Sequence, residues 1–260
     1  MGEKEIRGEG TGSKNVNKII AVMSGKCGVG KSSVTGILAV LLARKGCKVG
    51  ILDADITGPS IPKIFGVNGR IKGSASGMVP IESSLGIKII SINLILDNHE
   101  DPVLWKGPMI GSAVSKFWND VAWGELDYLL VDLPPGTSDA PMTVLQSMPL
   151  DGIILVSSPQ ELALLIVRKA VKMAERLEKP VIGVIENMSY ARCPHCQEKL
   201  EVFGPSHAGE SAEKMGIPLL GTLPLDFEFS GLCDQGDIEK YDKDIDLNLD
   251  LIFASCENTC

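Results

Sequence analysis

The chain has no apolar run approaching the roughly 18–20 residues needed to cross a bilayer. It also lacks the excess of positive charge that a nucleic-acid-binding face requires. Its 25 Lys and Arg are outnumbered by 33 Asp and Glu, for a net charge of −8. Neither a membrane nor a nucleic acid is therefore an expected partner. The stretch Met1–Asn17 is polar and glycine-rich, which fits neither a signal peptide nor a transit peptide. It is expected to be a flexible arm ahead of a single domain over residues 18–260, in a cytoplasmic protein. Internal repeats and a composition break that would mark a linker are both missing. The seven cysteines include a single C-x-x-C pair, Cys193-Pro-His-Cys196, so one chain cannot complete a four-cysteine site by that motif. In a reducing compartment they read as metal-binding, redox or buried thiols rather than a disulfide framework.

What is present is a core-forming α/β pattern. At 260 residues and 44% hydrophobic content, the chain can bury a large interior. Strand-like runs fall at 18–24, 48–53, 127–132, 152–157, 181–186 and 217–223. Helical periodicity fills 31–45, 108–122, 139–148, 159–178 and 206–215, with Gly46 placed to end the first helix. Continuous apolar strands alternating with helices predict a doubly wound, mostly parallel sheet with helices on both faces. Met78–Ile81 and Ile87–Ile92 read as a hairpin inserted at the edge. In such sheets ligands bind at the carboxyl ends of the strands.

The first such end carries Gly25-Lys-Cys-Gly-Val-Gly-Lys-Ser32, a complete G-x-x-x-x-G-K-[ST] loop between a buried strand and an amphipathic helix. Gly25, Gly28 and Gly30 let backbone N–H groups curl around a polyphosphate, and the helix N-terminus favours its charge. Lys31 supplies a cation between the outer phosphates, and Ser32 is placed to ligate Mg²⁺. Two further strand ends, Asp53-Ala-Asp55 and Asp132-Leu-Pro-Pro-Gly136, present carboxylates to the loop. Asp132 fits an aspartate holding Mg²⁺ through water. Asp53 and Asp55 are candidates for an outer Mg²⁺ contact and for positioning the attacking water. The bland alternative is that these carboxylates cap loops.

Lys26, immediately after the first glycine, makes this loop resemble the deviant Walker A of the MinD/ParA/nitrogenase-iron-protein class. Together with Asp53–Ser60, Trp105-Lys-Gly-Pro108, Asp132–Gly136, Glu186-Asn-Met-Ser189 and Cys193–Cys196, the chain resembles the Mrp-type scaffold ATPases of iron–sulfur cluster assembly. The likeness runs from about residue 18 to about residue 237. It implies a SIMIBI-type P-loop NTPase fold and ATP with Mg²⁺ held along Gly25, Lys26, Cys27, Gly28, Val29, Gly30, Lys31, Ser32 and Ser33. It further implies that Lys26 reaches the nucleotide of the partner in a homodimer and that Asn187 hydrogen-bonds adenine. The family carries a [4Fe–4S] cluster at the dimer interface and passes it to apo iron–sulfur proteins.

Three positions depart from the family pattern. Cys27 replaces a glycine: either φ is negative there and the side chain is tolerated, or a thiol between two lysines becomes acidic and redox-sensitive. Ser33 replaces threonine, of little consequence beside Ser32. Lys106 replaces arginine, keeping charge but losing the planar fork.

Two thiolates at C-x-x-C spacing complete neither a zinc site nor a cubane. A two-fold dimer brings two copies face to face and supplies four. Spacing alone leaves three occupants open: a cluster, Zn²⁺ stapling the dimer, or a redox disulfide. Cys47 and Cys233 read as buried hydrophobes, Cys256 and Cys260 as one face of a C-terminal helix, and His195 and His207 as surface groups. Two other functions are weighed. A MinD/ParA-like positioning ATPase needs a basic tail or surface, and Asp244–Phe253 is acidic and lysine-free, which disfavours it. A zinc-stapled nucleotide-binding regulatory dimer has no such objection.

Overall fold

A computed structural model describes residues 15–56, 58–74, 77–95 and 107–252. In chain order the strands and helices are β1 (Val16–Ser24), α1 (Lys31–Arg44), β2 (Val49–Asp53), α2 (Ile61–Ile64), β3 (Lys72–Ser74), β4 (Gly77–Val79), β5 (Ile81–Glu82) and β6 (Lys88–Ser91). They continue as α3 (Gly107–Asn119), β7 (Leu126–Asp132), α4 (Asp139–Ser147), β8 (Gly152–Ser157), α5 (Glu161–Arg176) and β9 (Val181–Glu186). Last come β10 (Ala191–Arg192), β11 (Lys199–Leu200), α6 (Ala208–Met215), β12 (Leu219–Thr222), α7 (Phe227–Gln235) and β13 (Asp246–Leu247).

Nine strands form the main sheet in the order β13-β12-β9-β8-β1-β7-β2-β6-β5. All neighbours are parallel except the two edge strands β13 and β5. Alternation along the central strands divides the core in two. Ile19, Ala21 and Met23 of β1, with Leu129 and Val131 of β7, pack against α3, α4 and α5. Ile20, Val22 and Leu130 pack on the opposite face against Val34, Ile37 and Leu38 of α1. The expected doubly wound, mostly parallel architecture is therefore present. Crossovers on both faces bring the carboxyl ends of β1, β2, β7, β8 and β9 to one end of the sheet.

Three local expectations change. β1 starts at Val16, which is buried and pairs with Leu126, so the last residues assigned to the arm belong to the sheet. The hairpin expected at the edge is present in shortened form: the two-residue β5 pairs antiparallel with β6, and β6 is itself a buried strand parallel to β2. Met78 and Val79 instead pair with β3 in a separate two-stranded sheet. Gly46, at φ +88°, accepts the left-handed turn that ends α1, and its N–H bonds Ala43 O at 2.9 Å. Trp105, Lys106, Cys256 and Cys260 lie outside the described residues. Among the described residues no helix is long and apolar enough to cross a membrane.

Leu130 is 1% exposed in the middle of the central strand pair. Leu130→Ala is expected to cost about 2–5 kcal/mol, the range for deleting a buried leucine side chain. Urea unfolding checks this: the midpoint should fall with an unchanged m value.

Candidate phosphate loop and thiolate hairpin

The loop between β1 and α1 is shaped by two glycines in the left-handed region, Gly28 at φ +81° and Gly30 at φ +76°. A Cβ on Gly30 would collide with Asn187 Nδ2. Cys27 is exposed and is not in the left-handed region, so the substituted position accepts a side chain without backbone strain. The loop lines a cavity of about 360 Å³ that Asp55, Gly58, Ser60 and Pro135 close from the β2 and β7 ends.

Asp132, at the end of β7, is fully buried and is the anchor of the cavity floor. Its Oδ2 accepts hydrogen bonds from Lys31 Nζ at 2.7 Å and Ser32 Oγ at 2.6 Å. Its Oδ1 accepts one from Thr35 Oγ1 at 2.6 Å. Lys31 Nζ also lies 3.7 Å from Asp55 Oδ2. Lys31, Ser32, Asp55 and Asp132 thus converge as the motif predicted. The oxygens of Ser32, Asp55 and Asp132 are hard donors of the kind Mg²⁺ prefers, beside a cradle of loop N–H groups. Thr35 escaped the sequence reading. Its only signal was a hydroxyl one helical turn after Lys31, on the same face.

Asp53, expected as an outer Mg²⁺ contact, is held in a hydrogen-bond set of its own. Its carboxylate accepts from Asp55 N (3.2 Å), Ile61 N (3.4 Å) and Ser91 Oγ (3.1 Å), tying the 54–60 loop to β6. Burial, then the neighbouring Asp132 carboxylate, pushes Asp53 well above the usual carboxylate range; Lys31 opposes the rise and Asp55 adds to it. This aspartate organises the loop that presents Asp55.

Asn187 also does more than adenine recognition required. Its Nδ2 donates to Val29 O at 2.9 Å, and its Oδ1 accepts from Met188 N at 2.9 Å. The buried amide therefore holds the phosphate loop to the end of β9. It also lines a second cavity of about 330 Å³ on the far side of Gly30, with Met188, Pro224, Asp226, Phe229 and Cys233. Burial pushes the Cys233 thiol up to about 11. Ser33 lines both cavities. Lys26 points along the surface, and its Nζ donates to Gln160 Oε1 at 2.5 Å.

Six residues beyond Asn187, Cys193 and Cys196 sit at the tip of the β10–β11 hairpin. Cys193 N bonds Glu198 O at 3.0 Å and Gln197 N bonds Cys193 O at 2.9 Å. Gln197 takes φ +61° to close the turn. Backbone N–H groups of Cys196 and then His195, with the Cys196 thiol, lower the Cys193 pKa. A turn that solvates sulfur charge with its own N–H groups suits a thiolate metal ligand. His195 is exposed, and among the described residues no group of three or more His, Cys, Asp or Glu is arranged to hold a metal. The pair is a half-set of ligands.

The profile of the NUBPL iron-transfer P-loop NTPase family matches residues 15–254. The iron-sulfur cluster carrier protein of Clostridium perfringens is 46% identical over 240 residues, covering 89% of this chain and 84% of that protein. The iron-sulfur cluster transfer protein NUBPL of Dictyostelium discoideum is 42% identical over 226 residues, covering 86% and 69%. Among solved structures, a nucleotide-binding protein from Archaeoglobus fulgidus in complex with ADP has a TM-score of 0.80 at 46% identity, covering 88% of this chain and 90% of that one. The cell-division ATPase MinD of Pyrococcus furiosus has a TM-score of 0.65 at 19% identity over 93% and 97%, a likeness of fold.

Two outcomes follow from this geometry. Asn187→Ala removes a buried tie worth about 1–3 kcal/mol, so affinity for ATP and GTP should fall together, on the order of tenfold. Titration calorimetry with both nucleotides checks it, and a loss confined to ATP would make the amide a base reader instead. Iodoacetamide labelling followed by mass spectrometry should also rank the thiols. Cys193, with its lowered pKa, should react at lower pH than Cys47, which burial raises. Cys233 should come last, and coincident profiles for Cys193 and Cys47 would contradict the N–H···S geometry.

Proposed function

The chain belongs to the NUBPL iron-transfer P-loop NTPase family, and from that premise we propose that it is an ATP-hydrolysing carrier of a [4Fe–4S] cluster. The cluster is cargo, held between two copies by Cys193 and Cys196 of each and delivered to apo iron–sulfur proteins. The observation that carries this reading is the continuity of one short segment. Residues 187–196 begin at a hydrogen bond to the phosphate loop and end at the thiolate pair. Movement of Val29 around a bound nucleotide is transmitted through Asn187 to the hairpin. This gives hydrolysis a physical route to the cargo.

In the hydrolytic step, water attacks the γ-phosphorus and the bond to the ADP oxygen breaks. Lys31 leaves Asp132 to lie along the phosphates. Ser32 and Asp132 would hold Mg²⁺, which neutralises phosphate charge when bound. Asp55, hydrogen-bonded by Gly58 N at 3.3 Å, orients the water. Lys26, released from Gln160, reaches the partner's nucleotide, where its charge offsets that developing in the transition state. The four thiolates of a facing pair also suit Zn²⁺, so the decisive experiment reads colour as well as metal content.

Anaerobic loading of the full chain with iron and sulfide should give broad absorption near about 400 nm and one cluster per dimer. Cys193→Ala and Cys196→Ala should each lose it while keeping ATP binding. Lys31→Ala should lose ATP binding and keep the cluster, and Lys26→Ala should bind ATP yet hydrolyse it slowly. A colourless protein that retains one zinc per dimer would replace the carrier reading with that of a zinc-stapled regulatory dimer.

A further inference from the structure

A cavity of about 630 Å³, larger than the phosphate cavity, opens beside the thiolates. One wall is the hairpin, with Tyr190, Arg192, Pro194 (between the two cysteines) and Gln197 (next after Cys196). The other is the turn into α7 together with residues 241–244. That second wall is fixed. Asp226 Oδ1 accepts from Glu228 N at 2.8 Å, and its Oδ2 accepts from the Tyr241 hydroxyl at 3.2 Å and from Lys243 Nζ at 2.7 Å. Lys243 Nζ also lies 2.8 Å from Glu228 Oε2, and Leu225 N, bonded to Tyr190 O at 2.7 Å, ties the two walls together. Lys243, Asp226 and Glu228 are thereby paired with one another. Phe227 stands out from this wall at 86% exposed, the most exposed large apolar side chain among the described residues.

The hairpin wall is the opposite case. Arg192 and Lys199 stand directly across β10 and β11 from each other, where like charges repel. Both lie over the Tyr190 ring, Arg192 Cζ at 5.4 Å and Lys199 Nζ at 4.3 Å from its centroid. Among the described residues neither has a carboxylate partner, in a chain whose net charge is −8. Two cations without counter-charges therefore sit on the hairpin that carries the thiolate pair, with an exposed aromatic ring on the same cavity.

We infer that this cleft receives an acidic, cysteine-bearing segment of the acceptor protein. Carboxylates of that segment meet Arg192 and Lys199, an apolar side chain packs on Phe227, and its cysteine is set beside Cys193 and Cys196. The inference rests on the carrier reading. Transfer of a cluster is an exchange of sulfur ligands. An acceptor thiol gives its proton to solvent, its sulfur bonds an iron as the bond from Cys193 breaks, and the freed Cys193 thiolate takes up a proton. Iron and sulfide keep their oxidation states. The acceptor backbone must then lie along a surface that adjoins the thiolates, which this cleft does through Pro194 and Gln197. Charge selects an acidic occupant and draws it in. Shape selects against a second copy. A two-fold contact sets one patch against itself, and a cleft facing a cleft leaves both unfilled, whereas an extended segment of another chain fills one.

The test compares the full chain with the double variant Arg192→Gln, Lys199→Gln, with Phe227→Ala and with the charge-keeping Arg192→Lys. Two fluorescent synthetic peptides are the probes: one has a cysteine flanked by aspartates and a phenylalanine, the other has lysines in place of the aspartates. Their binding is measured on the metal-free, reduced chain. Each protein is then loaded anaerobically with ferrous iron and sulfide, and delivery to an acidic apo-ferredoxin is followed by absorption. The acidic peptide should bind and the basic one should not. The double variant and raised salt should each weaken binding by at least about tenfold. Phe227→Ala should weaken it severalfold, and Arg192→Lys should keep most of it. Delivery should slow in the same order, while cluster loading, mass and affinity for ADP stay those of the unmodified chain. Equal binding of the two peptides, or variants that bind and deliver as well as the unmodified chain, overturns the inference. A double variant that loses its dimer makes the face a contact between copies and equally overturns it. If the unmodified chain takes up no cluster, the carrier reading fails and the acceptor with it; normal loading with unaltered binding and delivery refutes the cleft alone.

Discussion

The buried carboxylate of Asp132 is the point on which the nucleotide end of the molecule depends. A charge without solvent exposure is costly unless its lone pairs are satisfied and an opposite charge is close. Lys31, Ser32 and Thr35, all in the first turns of α1, meet both conditions. The helix that follows the phosphate loop is thereby fastened to the central strand at the position where the phosphates would lie. The local charges do not balance, however. Asp53 and Asp55 stand beside Asp132 with Lys31 as a near cation, and burial, then the Asp132 carboxylate, raises Asp53 well above the usual carboxylate range. Such a site gains from an added divalent cation, and the phosphates that accompany the cation compete for Lys31. On electrostatic grounds a divalent cation and a nucleotide's phosphates would favour one another's binding at such a site.

Asn187 is the second fastening. A carboxylate in its place would set an oxygen against Val29 O, and a shorter side chain would not reach; an amide can donate to Val29 O and accept from Met188 N at once. Gly30 is tied to the same fact, because the amide occupies the space a Cβ would fill. Loop and strand end are thus joined through few atoms, with the hairpin a few residues further along the chain. Close packing makes such connections stiff.

Much of this was legible in the sequence where chemistry is strictly local. The glycine spacing of the loop, the strand-end aspartates and the Cys193–Cys196 pair each imply a geometry from a few neighbouring residues. The alternating apolar runs implied the doubly wound sheet for the same reason. What could not be read depended on contacts between distant segments. Asp53 and Asp132 look alike as strand-end aspartates, yet one bonds the 54–60 loop and Ser91 while the other bonds α1. Thr35 had no distinguishing pattern, because its partner lies 97 residues away. The edge hairpin was only half legible: apolar alternation alone reveals neither that its 87–92 arm also pairs in parallel with β2 nor that Met78 and Val79 pair with β3 instead. Asn187 was identified as part of the site through resemblance, but its tie to the loop backbone is visible only in three dimensions.

The thiolate hairpin solves a problem opposite to that of Asp132. Its charge is exposed, and stabilisation comes from the backbone: N–H groups of Cys196 and His195 point at Cys193, at the expense of a left-handed Gln197. In the proposed carrier, regulation of the cargo acts on how two hairpins meet rather than on the ligands themselves. In that carrier two thiolates hold neither a cubane nor a tetrahedral ion, so separating the copies is enough to release the cargo, with no change in the chemistry of either cysteine.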